Sequence, residues 1–361
     1  MNPRVPAWLR RVFQASLVLA LASCASLPDW YDPTKQHHRP DGFVNTDGTR
    51  PSKGFDQFLR WQWETYRSGA PSKPSQVYQD YADFPVLTPN FRNLANPGAD
   101  PSVTWIGHAT TLVQMAGANI LTDPHFGERA SPVSFAGPKR KVALPAALAQ
   151  LPRIDVVVIS HNHYDHLDVG TIQALAKQAG GPPLFLVPLG VDEWFADLGI
   201  DGARAMDWWD AIEVNELRIH FVPVHHWSAR GLGDRNETLW GGWVVKTSEA
   251  SVFFAGDTGY SRDFAEIGAR FGGFDLALIP VGAYEPRWFM KEQHVNPEEA
   301  VQIHLDVKAR RSLGIHWGTF ELTDEALDQP ILDLNRALKK FDVSGEAFRL
   351  LRHGESMEIK P

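Results

Sequence analysis

Sulfur is scarce in this chain. Of 361 residues one is a cysteine, Cys24, and five are methionines. A single thiol excludes any internal disulfide and the thiolate-rich sites of structural zinc modules. Any metal site must therefore be built from nitrogen and oxygen. An excess of positive charge is missing too, since 35 basic residues stand against 43 acidic ones and leave −8. An acidic balance disfavours general attraction to nucleic acid. The one tight basic run, Lys139-Arg140-Lys141, reads as a solvated loop, and no nucleic-acid partner is expected. No repeat of fixed period runs through the sequence.

Long apolar runs are limited to the amino terminus. Arg4, Arg10 and Arg11 precede an apolar stretch from Val12 to Ala22, and no acid appears before Asp29. That is the layout of a secretory signal rather than a membrane span. Leu21-Ala22-Ser23-Cys24 resembles the lipobox of bacterial lipoproteins, in which the peptide is cut before a cysteine that becomes lipidated. Residues 1–23 are expected to be a lipoprotein signal peptide and Cys24 the lipidation site. An exported bacterial lipoprotein is implied, anchored at the periplasmic face or the outer membrane. Residues 1–23 carry three arginines and no acid, so their removal takes the charge from −8 to −11.

What is present in quantity is 43% hydrophobic sequence, enough for a sizeable core. Residues 24–100 are rich in Pro, Gly, Asp and Asn with scattered aromatics, and read as an extended arm packed on the core, with one helix near 55–67. His37 and His38 fall in its polar part and read as solvated. Residues 101–361 alternate short strands with helices, including a helix from about Asp324 to Lys340. Two hairpins, one ending in Asp123 and one in Asp257, suggest two related halves that each deliver a carboxylate to the same end of a sheet.

Chemistry concentrates at residues 156–168. Val156, Val157, Val158 and Ile159 read as a strand covered on both faces. It ends at Ser160, after which His161, His163, Asp165 and His166 follow within six residues. Such a cluster is hard to keep together for packing alone, because buried imidazoles and carboxylates need partners. It reads as a metal loop, and divalent first-row ions take these ligand types. More ligands are needed than one loop supplies. Apolar runs elsewhere end in His225-His226, Asp257 and His316, the expected way to gather distant residues at one sheet edge. Pattern does not separate His225 from His226.

His161-x-His163-x-Asp165-His166 resembles the signature of the metallo-β-lactamase superfamily. Trp105 to Thr110, His226-Trp227-Ser228, Phe254 to Tyr260, Gly282 to Met290 and Ile315 to Phe320 resemble, within it, the N-acylphosphatidylethanolamine-hydrolysing phospholipase D family. The resemblance runs from about residue 80 to about residue 340. It implies a four-layer αββα sandwich of α/β class with two zinc ions, other divalent metals being admissible. His161, His163 and His226 would hold one ion, Asp165, His166 and His316 the other, and Asp257 would bridge them. Asp123 would orient a ligating imidazole, and His294 matches a family position important for activity, where it would meet the phosphate or protonate the leaving alkoxide. Apart from the resemblance, Tyr284, Trp288, Phe289 and Met290 form an apolar cluster in a loop, which reads either as the lining of an acyl-chain channel or as core filling. One departure is Ala229, which stands where the eukaryotic enzyme has a basic residue.

The implied activity is hydrolysis of a membrane phosphodiester, N-acylphosphatidylethanolamine, to phosphatidic acid and an N-acylethanolamine. The competing readings are another hydrolase on the same fold, a lactonase or small phosphodiesterase, and a metal-binding lipoprotein without turnover.

Overall fold

Val156–Val158 forms the short strand at the root of the metal loop. Successive side chains of a strand point to opposite faces. Val156 and Val158 accordingly join the large apolar cluster that unites both sheets, whereas Val157 and Ile159 join a second cluster beneath two helices. A strand buried on both sides can be apolar throughout, which explains the unbroken run. The computed structural model describes residues 27–70, 77–96 and 100–360. The expected signal peptide and Cys24 lie outside them.

Two seven-stranded sheets face each other. The first runs in the order Ser356–Glu358, Ser102–Gly107, Thr110–Met115, Ala118–Thr122, Val156–Val158, Leu184–Pro188, Arg204–Met206. The second runs Ala211–Val214, Leu217–Val222, Gly242–Lys246, Ser251–Phe254, Phe274–Pro280, Ala309–Ile315, Phe348–Arg349. In each, the first four strands are antiparallel and the remaining connections are parallel. The two halves thus share one plan. Asp123 directly follows the fourth strand of the first sheet, and Asp257 follows the fourth strand of the second after Ala255-Gly256.

Helices Val169–Ala176 and Val191–Asp197 cover the outer face of the first sheet through Ile172, Leu175, Val191 and Phe195. Asp263–Phe271, Pro297–Asp306 and Gln329–Phe341 cover the second sheet, with Phe264, Ile267, Val301, Ile303, Leu334 and Leu338 in the large cluster. The architecture is the expected four-layer αββα sandwich. Trp243 fastens the layers. Its ring is fully buried and its Nε1–H donates to the Ile159 carbonyl at 2.9 Å, from the second sheet to the end of the metal-loop strand.

Some elements differ from the sequence reading. The helix expected from Asp324 begins at Gln329, with Pro330 in its first turn. Asp324 and Glu325 are occupied elsewhere: Asp324 accepts from Trp61 and Thr65, and Glu325 from the backbone of Ala283, Tyr284 and Glu285. Asp324 is thus taken up by side chains of the arm helix and Glu325 by loop amides, and neither caps a helix start there. The edge strands Arg204–Met206, Ala211–Val214 and Ser356–Glu358 are short and partly polar, and gave no strand pattern.

The arm runs over the body. It contains a two-stranded ribbon, His38–Arg39 with Gly42–Phe43, and the helix Phe55–Ser68 close to its expected span. His38 is buried, contrary to the solvated reading. His37, His38 and Lys35 all bind the buried Asp207 carboxylate, His37 Nε2 at 2.7 Å and His38 Nε2 at 3.0 Å. Arg140 is likewise no solvated cation, since its guanidinium donates to the carbonyls of His125 and Gly127.

Candidate metal centre

Every donor sits at the end of an apolar strand or in the loop that follows it. His161 to His166 follow Val156–Val158, His226 follows Leu217–Val222, Asp257 follows Ser251–Phe254, and His316 follows Ala309–Ile315. Bringing these ends together strains the backbone. His108, Asp123 and His316 have φ of 54°, 33° and 62°, a region that costs about 1–3 kcal/mol for a residue with a side chain. Gly256 has φ 62°, and a Cβ there would meet the Ser160 Cβ at 2.5 Å. Only glycine lets the strand end carrying Asp257 approach the metal loop so closely.

The first group is His161, His163 and His226. His161 Nε2 lies 2.7 Å from His163 Nδ1, and His226 Nε2 lies 3.4 Å from the same atom. The opposite nitrogens of two rings are held. His161 Nδ1–H donates to Ser160 Oγ at 2.9 Å, and Ser160 Oγ–H donates to Asp123 at 2.5 Å. His226 Nδ1–H donates to the Gln293 carbonyl at 2.9 Å. Those bonds leave Nε2 as a lone pair in both rings. Burial holds all three imidazoles well down in the acid range, His163 at about 3, so they are neutral at neutral pH. Neutral nitrogens aimed at one point fit a cation.

The second group is Asp165, His166 and His316, with His108 beside them. Asp165 Oδ2 lies 3.3 Å from both His166 Nε2 and His316 Nε2, and 2.9 Å from His108 Nε2. His166 Nδ1–H donates to Asp123 Oδ2 at 2.7 Å, so this carboxylate steers His166 directly and His161 through Ser160. Asp257 faces both groups: its Oδ2 is 3.1 Å from His166 Nε2 and 4.0 Å from His226 Nε2, and its Oδ1 is 3.1 Å from His316 Nε2.

The electrostatics call for positive charge. Burial alone would raise Asp165 and Asp257, but the facing imidazoles, His166 foremost, outweigh it and hold both carboxylates well below their usual range. Burial would lower His316, yet Asp257 and Asp165 hold it up at about 9. Two ionised carboxylates in a buried site need compensating positive charge: the protonated His166 and His316 rings supply it here, and a divalent metal on the same nitrogens would supply it in place of their protons. The donor set therefore fits a metal pair with Asp257 between its members.

The structure brings together all seven residues named as ligands, with Asp123 behind them. His226 rather than His225 points inward; the His225 ring contacts Thr49 and the Glu292 carbonyl instead. His294 comes from the loop before Pro297–Asp306, with Nδ1 3.8 Å from Asp257 Oδ2 and no hydrogen bond to that buried nitrogen among the described residues. Burial holds it at about 4.

Of the four proposed channel residues, Phe289 and Met290 line an open cleft above the donors. Tyr284 and Trp288 do not. Tyr284 is buried and donates to Asp333 at 2.5 Å, while Trp288 donates to Glu64 and carries Arg60 on its ring. Phe55, Phe58 and Trp61 of the arm complete the apolar wall, and Lys53 and Arg235 bring cations to the same cleft. His108 was missed as a site residue. Its sequence signal was a histidine straight after the glycine that ends an apolar strand, the pattern used to find the others.

A beta-lactamase superfamily domain matches residues 118–317. The chain belongs to the beta-lactamase superfamily. Its fold is the metallo-β-lactamase fold, and superfamily membership with this donor set makes it a metal-dependent hydrolase. An N-acyl-phosphatidylethanolamine-hydrolyzing phospholipase D of Caenorhabditis elegans is 45% identical over 61% of this chain, a match that spans 64% of the nematode protein. An uncharacterized protein of Mycobacterium tuberculosis is 38% identical over 90% of this chain and 85% of its own length. Among solved structures, an isothiocyanate hydrolase from Delia radicum gut bacteria superposes with a TM-score of 0.57 at 21% identity, covering 71% of this chain and 98% of that one. That last likeness concerns the fold alone.

Proposed function

We propose that this superfamily hydrolase is a phosphodiesterase of phospholipase D type that cleaves N-acylphosphatidylethanolamine to phosphatidic acid and an N-acylethanolamine. The observation that carries this reading is the pairing of the donor set with its cleft. Ligands for two ions lie at the floor of an opening walled by Phe55, Phe58, Phe289 and Met290, with Lys53 and Arg235 within it. A substrate with acyl chains and an anionic diester answers both features. The nematode relative's name supports the same chemistry.

The proposed cofactor is a pair of zinc ions, which His161, His163 and His226, Asp165, His166 and His316, and Asp257 would hold. When bound, such ions supply Lewis acidity at phosphoryl oxygens and ionise water near neutral pH. The chain's own residues do the rest. Asp123 and Gln293 hold the rings in the tautomers that present Nε2, and Lys53 and Arg235 draw the phosphate inward. Water adds to phosphorus as the bond to the ethanolamine oxygen breaks, and that oxygen takes a proton. His294, neutral at neutral pH, meets the leaving oxygen as a hydrogen-bond donor. Upstream, lipidated Cys24 is the proposed anchor to a bacterial membrane.

The test is product identification. The protein is incubated with N-acylated and plain phosphatidylethanolamine, with and without chelator. Phosphatidic acid and N-acylethanolamine from the first lipid, lost with chelator, are expected. Release of free fatty acid instead, or no product with two ions bound per chain, would overturn the reading.

A further inference from the structure

The helix Phe55–Ser68 has no buried residue. It is fastened to the body along one side only. Trp61 Nε1–H and Thr65 Oγ1–H donate to Asp324, Glu64 accepts from Trp288 Nε1–H, and the Trp61 ring stacks on Phe289 at 4.8 Å. The other side carries Phe55, Phe58, Leu59, Trp63 and Tyr66, exposed by 75, 43, 50, 60 and 80%. At about 100° per residue these five fall on one continuous strip, interrupted only by Gln62. Thirteen large apolar side chains are exposed among the described residues, and five of them stand on this one helix. Scattered exposure would not concentrate so.

Two further observations say what covers the strip. Phe55 and Phe58 belong both to the strip and to the lining of the cleft above the metal centre, and the fully exposed Leu232 stands on the same cleft's rim. The apolar surface is therefore continuous with the entrance to the site. Of the charges on this helix, Asp56 and Arg67 stand exposed beside the strip, whereas Arg60 is turned towards the body, paired with Glu64 at 2.7 Å and lying over the Trp288 ring. An exposed apolar face that carries Trp and Tyr, whose rings have one apolar body and one polar tip, is the composition that lies in the headgroup layer of a bilayer.

We propose that Phe55–Ser68 is an interfacial helix that lies in the surface of a phospholipid bilayer and seats the cleft mouth against it. Leu59, Trp63 and Tyr66 enter the leaflet, and Arg67 meets lipid phosphates. A diester lipid then passes from leaflet to cleft without crossing water. That last consequence rests on the lipid-hydrolase reading; the membrane contact does not.

The test uses the full chain with vesicles of phosphatidylethanolamine and a minority of phosphatidylglycerol. Cys24 is the only cysteine. A Cys24→Ser, Leu59→Cys protein can thus carry a single nitroxide on the strip. On vesicles the label should lose collisions with a water-soluble nickel chelate and gain collisions with oxygen. A label that stays chelate-accessible on vesicle-bound protein overturns the proposal. So does one already shielded without vesicles, which would assign the strip to residues of this chain. A lipid-free dimer dissolved by Leu59→Ser, Trp63→Ser and Tyr66→Ser together would assign it to a second copy and equally overturn it.

The same triple substitution, which touches no cleft-lining residue, should reduce turnover of vesicle lipid about tenfold or more. Turnover of a short-chain monomeric diester should be unchanged. If the unsubstituted protein cleaves no phosphodiester, the hydrolase reading fails while the nitroxide result still decides the helix.

Discussion

Asn45 holds His226 by both sides of its backbone. Its Nδ2–H donates to the His226 carbonyl at 3.1 Å, and its Oδ1 accepts from the His226 N–H at 3.1 Å and from Trp240 Nε1–H at 3.0 Å. All three residues are buried. The arm is thereby part of the metal centre's support, although it contributes no ligand.

Asn45→Ala should consequently weaken metal binding as well as stability. It leaves the buried His226 N–H and carbonyl without this partner, at about 1–3 kcal/mol, while Trp240 Nε1–H still donates to the Val224 carbonyl. The expected outcome is a lower denaturant midpoint together with about tenfold weaker metal retention in a chelator competition. Retention equal to the unsubstituted protein would show that His226 is held without the arm.

Asp123 touches two rings, one directly and one through Ser160. Asp123→Asn should lower metal affinity about 10- to 100-fold with the fold retained. Asp257→Ala removes the carboxylate that faces both groups. It should leave fewer than two ions per chain by elemental analysis and abolish turnover.

His108 sits 2.9 Å from Asp165 Oδ2. His108→Phe should weaken the ion at the Asp165 group and leave the His161 group loaded. Metal stoichiometry during stepwise chelation checks this, and simultaneous loss of both ions would count against it.

Acid should unfold the protein partly through His353. Burial, with Arg140 nearby, holds this ring down at about 3, against about 6.5 in an unfolded chain. Above about pH 6.5 neither state binds the proton, so its contribution is complete there. As pH falls from 6.5 towards 3 the unfolded chain gains a proton that the folded one refuses. Stability then drops by about 1.4 kcal/mol per pH unit for this group. His353→Asn should flatten the stability-against-pH slope by one proton in that window, measured by denaturant titration.

Trp243→Phe keeps most of the ring in the core but deletes the bond to the Ile159 carbonyl. A loss of about 1–3 kcal/mol is expected, from a buried acceptor without its donor. An unchanged denaturant midpoint would show that the carbonyl finds another partner.

Much of the metal centre was legible because its construction repeats one local rule: an apolar strand, then a ligand. Val156 to Ile159 followed by His161 obeys it, as do Phe253-Phe254 before Asp257 and Leu313 to Ile315 before His316. The parallel between Asp123 and Asp257 was visible for the same reason, and the two sheets reproduce it. Support from distant segments was not legible. Asn45 and Gln293 reach His226 across 181 and 67 residues, and nothing local marks an asparagine in a polar arm as buried. His37 and His38 were misread likewise, since only Asp207, some 170 residues away, makes their burial tolerable. Tyr284 and Trp288 carried no sign of which way they point; their hydrogen-bond partners on other elements decide it.

The donors are divided between the halves of the sandwich: His161, His163, Asp165 and His166 leave the first sheet, and His226, Asp257 and His316 leave the second. Ions gripped here would rivet residue 161 to residue 316 and close a long loop of chain. A sequence with one thiol has no covalent way to make such a fastening. Stripping the metal should therefore loosen the seam between the sheets as well as silence the chemistry.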